Sequence, residues 1–375
     1  MKFLDEMTCN AVGLLKGMIA IPSTSFNERD VADMLQSHLE LRAARLNESV
    51  GKKGNLIVER LANNIIVYRD DFSPLKRTLM LNSHIDTVEP SAAYTFDAYT
   101  PFERDGMIYG LGSNDDGGSV VSQINAFFYL NGERIGKGAV QPEDMKVNLM
   151  LVLTAEEERS GADGMSRFIE QFHIQPDCAI IGEPTGMEAA IAERGLLVID
   201  GRAEGVSGHA ARNEGVNALY IALDDIARLR DYKFEKKSPV MGDVKMTVTQ
   251  MNSGTAHNVV PCEATFVVDI RPTEQYSNPE IMELLQKEVK STLVARNLKN
   301  RSSATPDDGI LMAAVKRLGL ATQISATTSD WMKFPREAVK MGPGESQRSH
   351  KADEFIRIDE ISAAIEGYIN YIKNI

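Results

Sequence analysis

The sequence predicts an α/β fold in which a mostly parallel, layered domain carries an inserted, smaller α+β sandwich domain. Three observations lead to this prediction. Short apolar runs alternate with helical periodicity in the first half of the chain, the pattern changes after residue 186, and it resumes near residue 305. A length of 375 residues exceeds one ordinary hydrophobic core. We expect residues 1–186 and 301–375 to form the main domain and 187–300 the inserted one.

The elements of the main domain follow from its apolar periodicity. Apolar residues at helical spacing predict an opening helix, which Ile21-Pro22-Ser23 ends, and a second helix over about 28–41. Compact apolar runs predict buried strands. The predicted strands are 55–59, 64–68, 78–82, 147–154 and 178–181, with helices over 118–130, 308–318 and 359–372.

The inserted domain has a different element order. Its predicted order is strand, helix, strand, strand, helix, strand, which is typical of a small α+β sandwich. The strands are 196–203, 244–251, 264–270 and 293–296, the helices are 215–229 and 279–289, and a further strand at 189–192 precedes them.

Composition excludes several classes of protein. The net charge of −12, without a Lys/Arg block, argues against nucleic-acid binding. No apolar run approaches the ~20 residues of a membrane span. The start, Met1-Lys2-Phe3-Leu4-Asp5-Glu6, lacks the features of a signal peptide. Cys9, Cys178 and Cys262 are odd in number and far apart, which predicts buried free thiols in a cytoplasmic protein.

Two histidines and four carboxylates occur in five separate segments, each at or just after a predicted strand. Metal and substrate sites in open α/β sheets form where the carboxyl ends of strands meet loops. Zinc takes imidazole nitrogen and carboxylate oxygen as ligands, and one carboxylate can bridge two metals about 3.5–4 Å apart. The segments are Ser83-His84-Ile85-Asp86-Thr87, Asn114-Asp115-Asp116-Gly117-Gly118, Ala155-Glu156-Glu157-Glu158, Gly182-Glu183-Pro184-Thr185 and Ser349-His350.

Each segment alone has a simpler interpretation. His84 and Asp86 share one side of a strand end, so Asp86 can accept the proton of the second ring nitrogen, but a polar strand end looks the same. The acids 156–158 can splay into water at a helix N-terminus, although bound cations would remove their repulsion more completely. Glu183 can belong to a simple turn. Together, and all outside the inserted domain, the segments favour a metal hydrolase.

Five motifs carry a family resemblance. They are Ser-His-Ile-Asp-Thr-Val, Gly-Leu-Gly-Ser-Asn-Asp, Thr-Ala-Glu-Glu-Glu, Gly-Glu-Pro-Thr and Gly-Pro-Gly-Glu-Ser-Gln-Arg-Ser-His. In this order, around an inserted domain, they resemble the dizinc deacylases and peptidases that include acetylornithine deacetylase, succinyl-diaminopimelate desuccinylase, aminoacylase and carboxypeptidase G. The resemblance covers nearly the whole chain and is strongest to acetylornithine deacetylases.

The resemblance implies two zinc ions per subunit, with Co²⁺ as a substitute ion. By motif, His84, Asp115 and Glu183 would hold one zinc. Asp115, Glu158 and His350 would hold the other, so that Asp115 bridges the two ions.

The resemblance also implies roles for the neighbours of these ligands. Asp86 would orient His84, and Glu157 would be the general base. The family pattern in the glutamate run is acid-Glu-Glu, which makes Glu156 the leading acid rather than the base.

For the inserted domain, the resemblance implies a lid that also forms a homodimer. The segment 205–212 matches a motif that reaches the active site of the partner subunit, where His209 would hydrogen-bond the developing oxyanion. Arg194, Asn258 and Arg271 match lid residues suited to a substrate carboxylate, since Arg offers paired donors.

The implied reaction is hydrolysis of an N-acyl amino acid, with N-acetylornithine first and arginine biosynthesis as its context. The same chemistry on N-succinylornithine, N-acetylcitrulline, succinyl-diaminopimelate or a dipeptide is the nearest alternative. A metal-binding protein without turnover is a remote one, because a structural site needs no base. The glycine-rich stretch near Gly110 could suggest a nucleotide-binding loop, but it lacks both the G-x-G-x-x-G and the G-K-[ST] signatures of such loops. Leu111 and Gly117 depart from the Arg and Lys that the family often has.

Overall fold

The structure is a computed structural model that describes residues 3–50, 54–134, 140–212 and 214–375. Residues 1 and 2, part of the segment judged for a signal peptide, lie outside them. Within the described residues there are eight α-helices and eighteen strands. The helices are α1 (Phe3–Ile19), α2 (Arg29–Val50), α3 (Gly118–Leu130), α4 (Met165–Gln171), α5 (Ala218–Asp231), α6 (Asn278–Glu288), α7 (Ile310–Leu318) and α8 (Ile358–Lys373). The strands are β1 (Leu56–Leu61), β2 (Asn64–Arg69), β3 (Thr78–His84), β4 (Phe102–Arg104), β5 (Met107–Tyr109), β6 (Asn148–Thr154), β7 (Cys178–Ile181), β8 (Ala189–Glu193), β9 (Leu197–Glu204), β10 (Gly208–His209), β11 (Lys245–Ser253), β12 (Val259–Val260), β13 (Glu263–Arg271), β14 (Thr292–Ala295), β15 (Ser303–Ala304), β16 (Thr322–Ser325), β17 (Glu337–Lys340) and β18 (Phe355–Arg357).

The chain divides into two compact units. Unit 1 comprises Met1–Ile191, Thr305–Gln323 and Ser329–Ile375. Unit 2 comprises Ala192–Ala304 and Ile324–Thr328. Each unit has a hydrophobic core of its own.

Unit 1 is built on a mixed, mainly parallel sheet with the strand order β1-β2-β6-β3-β7-β17-β8. The central strands β6, β3, β7 and β17 run parallel, and the pairs β1–β2, β2–β6 and β17–β8 are antiparallel. Strands β3 and β7 are buried along their whole length, as expected for parallel strands covered on both faces. The predicted layered α/β fold is confirmed.

Helices cover both faces of this sheet. Leu79 and Leu81 of β3 point into a core shared with α1, α2, α3, α7 and α8, while Met80 points into the opposite core. That second core contains Phe168 of α4 and the buried indole of Trp331. The apolar residues at helical spacing in the predicted opening helix lie buried on α1; they are Met7, Ala11, Leu14, Leu15 and Met18.

The parallel pairing brings three strand ends together. His84, the last residue of β3, is paired with Thr154, the last residue of β6. On its other side β3 pairs with β7, where Asn82 lies opposite Ile181. The segments that follow these ends contain most of the predicted site residues, so the sheet register itself makes them neighbours.

Unit 2 has an antiparallel sheet with the order β11-β13-β9-β14. Helices α5 and α6 pack against it around Phe266, Ile281 and Leu285. Its order β9-α5-β11-β13-α6-β14 is the one expected for the inserted domain, apart from the short ribbon β10–β12. The predicted range 187–300 and its role as a lid remain predictions.

Some sequence expectations differ from the structure. The second helix continues to Val50, and the small sheet β18-β5-β4 was not predicted. The prediction of buried thiols is wrong for two cysteines: Cys178 is buried, but Cys9 and Cys262 are exposed. Among the described residues, no helix is both long and apolar enough to cross a bilayer.

Candidate metal centre

His84 ends strand β3 and is almost completely buried. Its Nδ1 lies 2.9 Å from the backbone oxygen of Asp86 and 3.4 Å from the Asp86 carboxylate. Its Nε2 lies 3.2 Å from Asp115 Oδ1. Burial would lower the pKa of His84, but the Asp115 and Asp86 carboxylates raise it well above its usual range. Nδ1 is therefore held by Asp86, and Nε2 faces the Asp115 carboxylate.

The Asp86 carboxylate holds the backbone of the glutamate turn. It accepts hydrogen bonds from the amides of Glu157, at 3.0 Å, and Glu158, at 3.1 Å. The Ser25 hydroxyl donates to it at 2.7 Å. The Asp86 side chain is thus shared between His84 and this turn, a second function that the sequence did not indicate.

Asp115 lies in an irregular turn between β5 and α3. Gly112 begins this turn with a φ of 75°, and a Cβ there would lie 2.6 Å from Thr87 Cγ2, so the position suits only glycine. The two carboxylate oxygens of Asp115 face different histidines: Oδ1 is 3.2 Å from His84 Nε2, and Oδ2 is 3.7 Å from His350 Nε2. This two-sided position is what a bridging ligand needs.

The three glutamates after β6 point in different directions. Glu156 adopts a left-handed φ of 59°, and its carboxylate accepts the amide of Asp163 at 2.9 Å. Glu157 and Glu158 each lie with His84 in a group of potential ligands, whereas Glu156 belongs to neither of the two groups found among the described residues. The structure therefore separates Glu156 from the other two, and the roles predicted for the three residues stay predictions.

Glu183 and His350 approach the same place from different elements. Glu183 follows β7, is buried, and has the Lys340 ammonium 3.8 Å from its carboxylate. His350, after β17, has a half-exposed side chain, and its Nε2 lies 2.9 Å from the Glu158 carboxylate. Its φ of 58° is left-handed, a strained conformation for a non-glycine residue.

The donor atoms converge closely enough for metal ions. One group contains His84, Glu157 and Glu183, and the other contains His84, Asp115 and Glu158; within each group the donor atoms lie within 4.8 Å of one another. Burial, together with the neighbouring acids, raises the pKa values of Glu157 and Glu183 well above their usual range. Cations would relieve this crowding, and imidazole and carboxylate donors fit zinc.

The predicted residues of the inserted domain lie in unit 2. His209 and Asn258 are exposed neighbours, because β10 pairs with β12 and Ala210 donates its amide to the Asn258 carbonyl at 3.0 Å. Arg271 makes a paired hydrogen bond with the Asp269 carboxylate at 2.9 and 3.1 Å. Arg194 is buried, and its guanidinium donates to the backbone carbonyls of residues 241, 243 and 271. These contacts lie within unit 2, and the predicted role of Arg194 in substrate binding stays a prediction.

Sequence reasoning missed several buried charged residues around the centre. Glu28 accepts the amide of Glu156 at 3.2 Å, and Glu354 accepts three amides of the Asp115 turn. Asp330 accepts the Thr154 hydroxyl at 2.7 Å and pairs with the Lys333 ammonium at 3.2 Å. The contacts that tie these acids to the centre, with Glu156, the Asp115 turn and Thr154, are distant in sequence, so no local pattern could reveal them.

Comparison with known proteins agrees with this geometry. The sequence profile of peptidase family M20/M25/M40 matches residues 80–374. The chain belongs to this family. Its members are metal-dependent peptidases and amidohydrolases, and this M20 chain is an enzyme of the same type.

Individual M20 relatives are distant. An acetylornithine deacetylase from Myxococcus xanthus is 26% identical over 373 residues, covering 92% of each chain. An M20 family metallo-carboxypeptidase from Sulfolobus solfataricus superposes with a TM-score of 0.69 at 16% identity, over 97% of this chain and 98% of that one. The Bacillus subtilis YXEP protein, described as a dinuclear metal-binding M20 peptidase, has a TM-score of 0.68 at 13% identity, over 99% and 98%. The last two show a shared fold.

Proposed function

We propose that this enzyme hydrolyses the amide bond of N-acetylornithine, giving ornithine and acetate, with two zinc ions per subunit. The convergence of two donor groups, His84 with Glu157 and Glu183 and His84 with Asp115 and Glu158, each with donor atoms within 4.8 Å of one another, carries the proposal. The acetylornithine deacetylases among its relatives favour this substrate. The reaction would serve arginine biosynthesis in the cytoplasm.

The ligand sets follow the motifs. His84, Asp115 and Glu183 would hold one zinc, and Asp115, Glu158 and His350 the other. The opposed directions of the two Asp115 oxygens support its bridging role. Bound zinc supplies Lewis acidity and lowers the pKa of water, which makes a nucleophile available at neutral pH.

The chain supplies the proton transfers. Glu157 would accept the proton of the attacking water and then deliver it to the leaving amine nitrogen. The Glu157 backbone amide donates to Asp86 Oδ1, and this hydrogen bond helps to fix the position of the Glu157 side chain. Asp86 would also keep His84 in one orientation.

A substrate panel tests the proposed function. Zinc-loaded protein is assayed with N-acetylornithine, N-succinylornithine, N-acetylcitrulline, succinyl-diaminopimelate and a dipeptide. We expect the highest kcat/KM with N-acetylornithine, loss of activity after chelation, and recovery when zinc is restored. A higher value for another substrate would replace N-acetylornithine within the same reaction class. Verified zinc-loaded protein that hydrolyses none of them would overturn the proposal.

Unit 2 is proposed as the lid and the dimerisation domain. Helix α5 exposes two large apolar side chains, Tyr220 at 65% and Leu223 at 47%, which supports contact with a second copy. The exposed His209 would then complete the site of the partner subunit by donating a hydrogen bond to the developing oxyanion. Asn258, which lies beside His209, and Arg271 would contact the substrate carboxylate. Arg194 would contact it as well once its guanidinium exchanged the backbone carbonyls that it now binds for the substrate.

Subunit mixing tests the origin of His209. His209→Ala and Glu157→Gln should each be nearly inactive, because each lacks one required group. After subunit exchange, a heterodimer would contain one site with both groups and one with neither, so activity should reappear. The matched control is His257→Ala, a nearby exposed histidine without a predicted role, which should remain active. No recovery despite proven exchange would contradict the proposed role of the partner's histidine.

A further inference from the structure

Glu354 is a buried carboxylate outside the proposed ligand set. Its side chain is about 3% exposed and accepts three backbone amides from one short turn. Oε1 accepts the amides of Asn114, at 2.8 Å, and Asp115, at 2.9 Å. Oε2 accepts the amide of Gly112 at 3.1 Å. These three side-chain hydrogen bonds therefore all hold the turn that carries Asp115.

The turn needs such an acceptor because it is not regular helix. Asp115 has φ −124° and ψ 97°, so the amides of the turn cannot all be paired in a regular helical pattern. Buried amides without acceptors are costly, and a carboxylate makes stronger hydrogen bonds than a neutral acceptor does. Glu354 thus supplies acceptors for the amides of Gly112, Asn114 and Asp115.

Glu354 is itself fixed on a strand pair. It directly precedes β18, where Phe355 is paired with Tyr109 of β5. Its backbone carbonyl accepts the Gly110 amide at 3.0 Å. Because β5 leads straight into the Asp115 turn, both ends of the connection are anchored in the same small sheet.

Asp115 and His350 are linked through this residue. Glu354 follows His350 by four positions, so one segment carries both the histidine and the acceptor that holds the Asp115 turn. The Asp115 oxygens face His84 and His350 separately. A displacement of the turn would change both distances together.

We propose that Glu354 is a positioning residue that fixes Asp115 between His84 and His350 and so sets the affinity of both metal positions. The inference rests on the proposed function, since it concerns the same metal centre. Glu354 would thereby differ from His350, because the loss of His350 would affect mainly the metal position shared with Glu158.

Zinc affinity in matched variants tests the inference. Metal-free wild type, Glu354→Ala, Glu354→Gln and His350→Ala are titrated with zinc against a chromophoric chelator, and kcat and KM are measured at increasing zinc. Glu354→Ala should weaken both equivalents by about 10- to 100-fold, whereas His350→Ala should weaken mainly one. High zinc should restore much of kcat in Glu354→Ala with little change in KM.

Glu354→Gln provides a second test of zinc affinity if Glu354→Ala does not fold. Its amide oxygen can still accept two of the three hydrogen bonds, but its NH₂ group faces the Gly112 amide. The zinc affinity of Glu354→Gln should fall about fivefold, the effect expected from the loss of one hydrogen bond. The control is Glu337→Gln, which alters another largely buried carboxylate that accepts a backbone amide, that of Leu311 at 2.7 Å. It should lower the thermal stability of the metal-free protein without changing zinc affinity.

The outcomes separate the two proposals. Wild-type protein that takes up no zinc would overturn the proposed function and this inference with it. Zinc uptake by the wild type, with unchanged affinity in the folded Glu354 variants, would overturn the inference alone. A loss confined to one equivalent in Glu354→Ala would also overturn it, because Asp115 would then not be the residue displaced.

Discussion

Glu157→Gln is expected to reduce kcat by about 10²- to 10⁴-fold while zinc content and KM stay near those of the wild type. The substitution preserves the shape of the side chain but removes its ability to accept a proton. Asp86 holds the backbone amide of residue 157, so the glutamine should occupy the same place. Steady-state kinetics and elemental analysis on the same preparation measure both quantities.

The neighbouring glutamates provide the controls. Glu156→Gln should remain active, because the Glu156 carboxylate accepts the Asp163 amide and an amide oxygen can do the same. Glu158→Gln should lose one zinc equivalent, since Glu158 is the proposed ligand beside His350. If Glu157→Gln loses zinc and Glu158→Gln keeps it, the roles of the two residues are exchanged.

The fold was predictable where burial is continuous along the chain. Helix α3 and strand β7 have the bounds expected from their apolar runs. The end of α2 was missed, because beyond Leu41 the buried residues Ala43 and Leu46 are interspersed with the polar residues Arg42, Arg45 and Asn47. Strands β4, β5 and β18 have three residues each, too few to show a period.

The centre was predictable as a set of residue types but not as a network. Motifs before or after strands identified the residues that meet there, since parallel pairing places strand ends side by side. The acceptors Glu28 and Glu354 were not identified, because the backbone amides that tie them to the centre lie more than one hundred residues away in the sequence. A backbone amide has no sequence signature, so only the folded chain reveals such contacts.

The network also explains why a site rich in buried acids can be held in place. Asp86, Glu28 and Glu354 each accept amides from a turn that carries proposed ligands or their neighbours. These backbone amides therefore offset part of the cost of burying the three carboxyl groups. The remaining donors of the ligand side chains can then face the metal positions.

Asp115→Ala is expected to remove both zinc equivalents and to abolish measurable hydrolysis. Its oxygens face His84 at 3.2 Å and His350 at 3.7 Å, so one substitution would remove a ligand from each proposed metal position. Asp115→Asn keeps one carbonyl oxygen and should retain weak binding at one position, because an amide cannot bridge two ions as a carboxylate does. Elemental analysis after gel filtration, with circular dichroism to verify folding, measures the effect. Two equivalents retained by folded Asp115→Ala would show that another residue joins the ions.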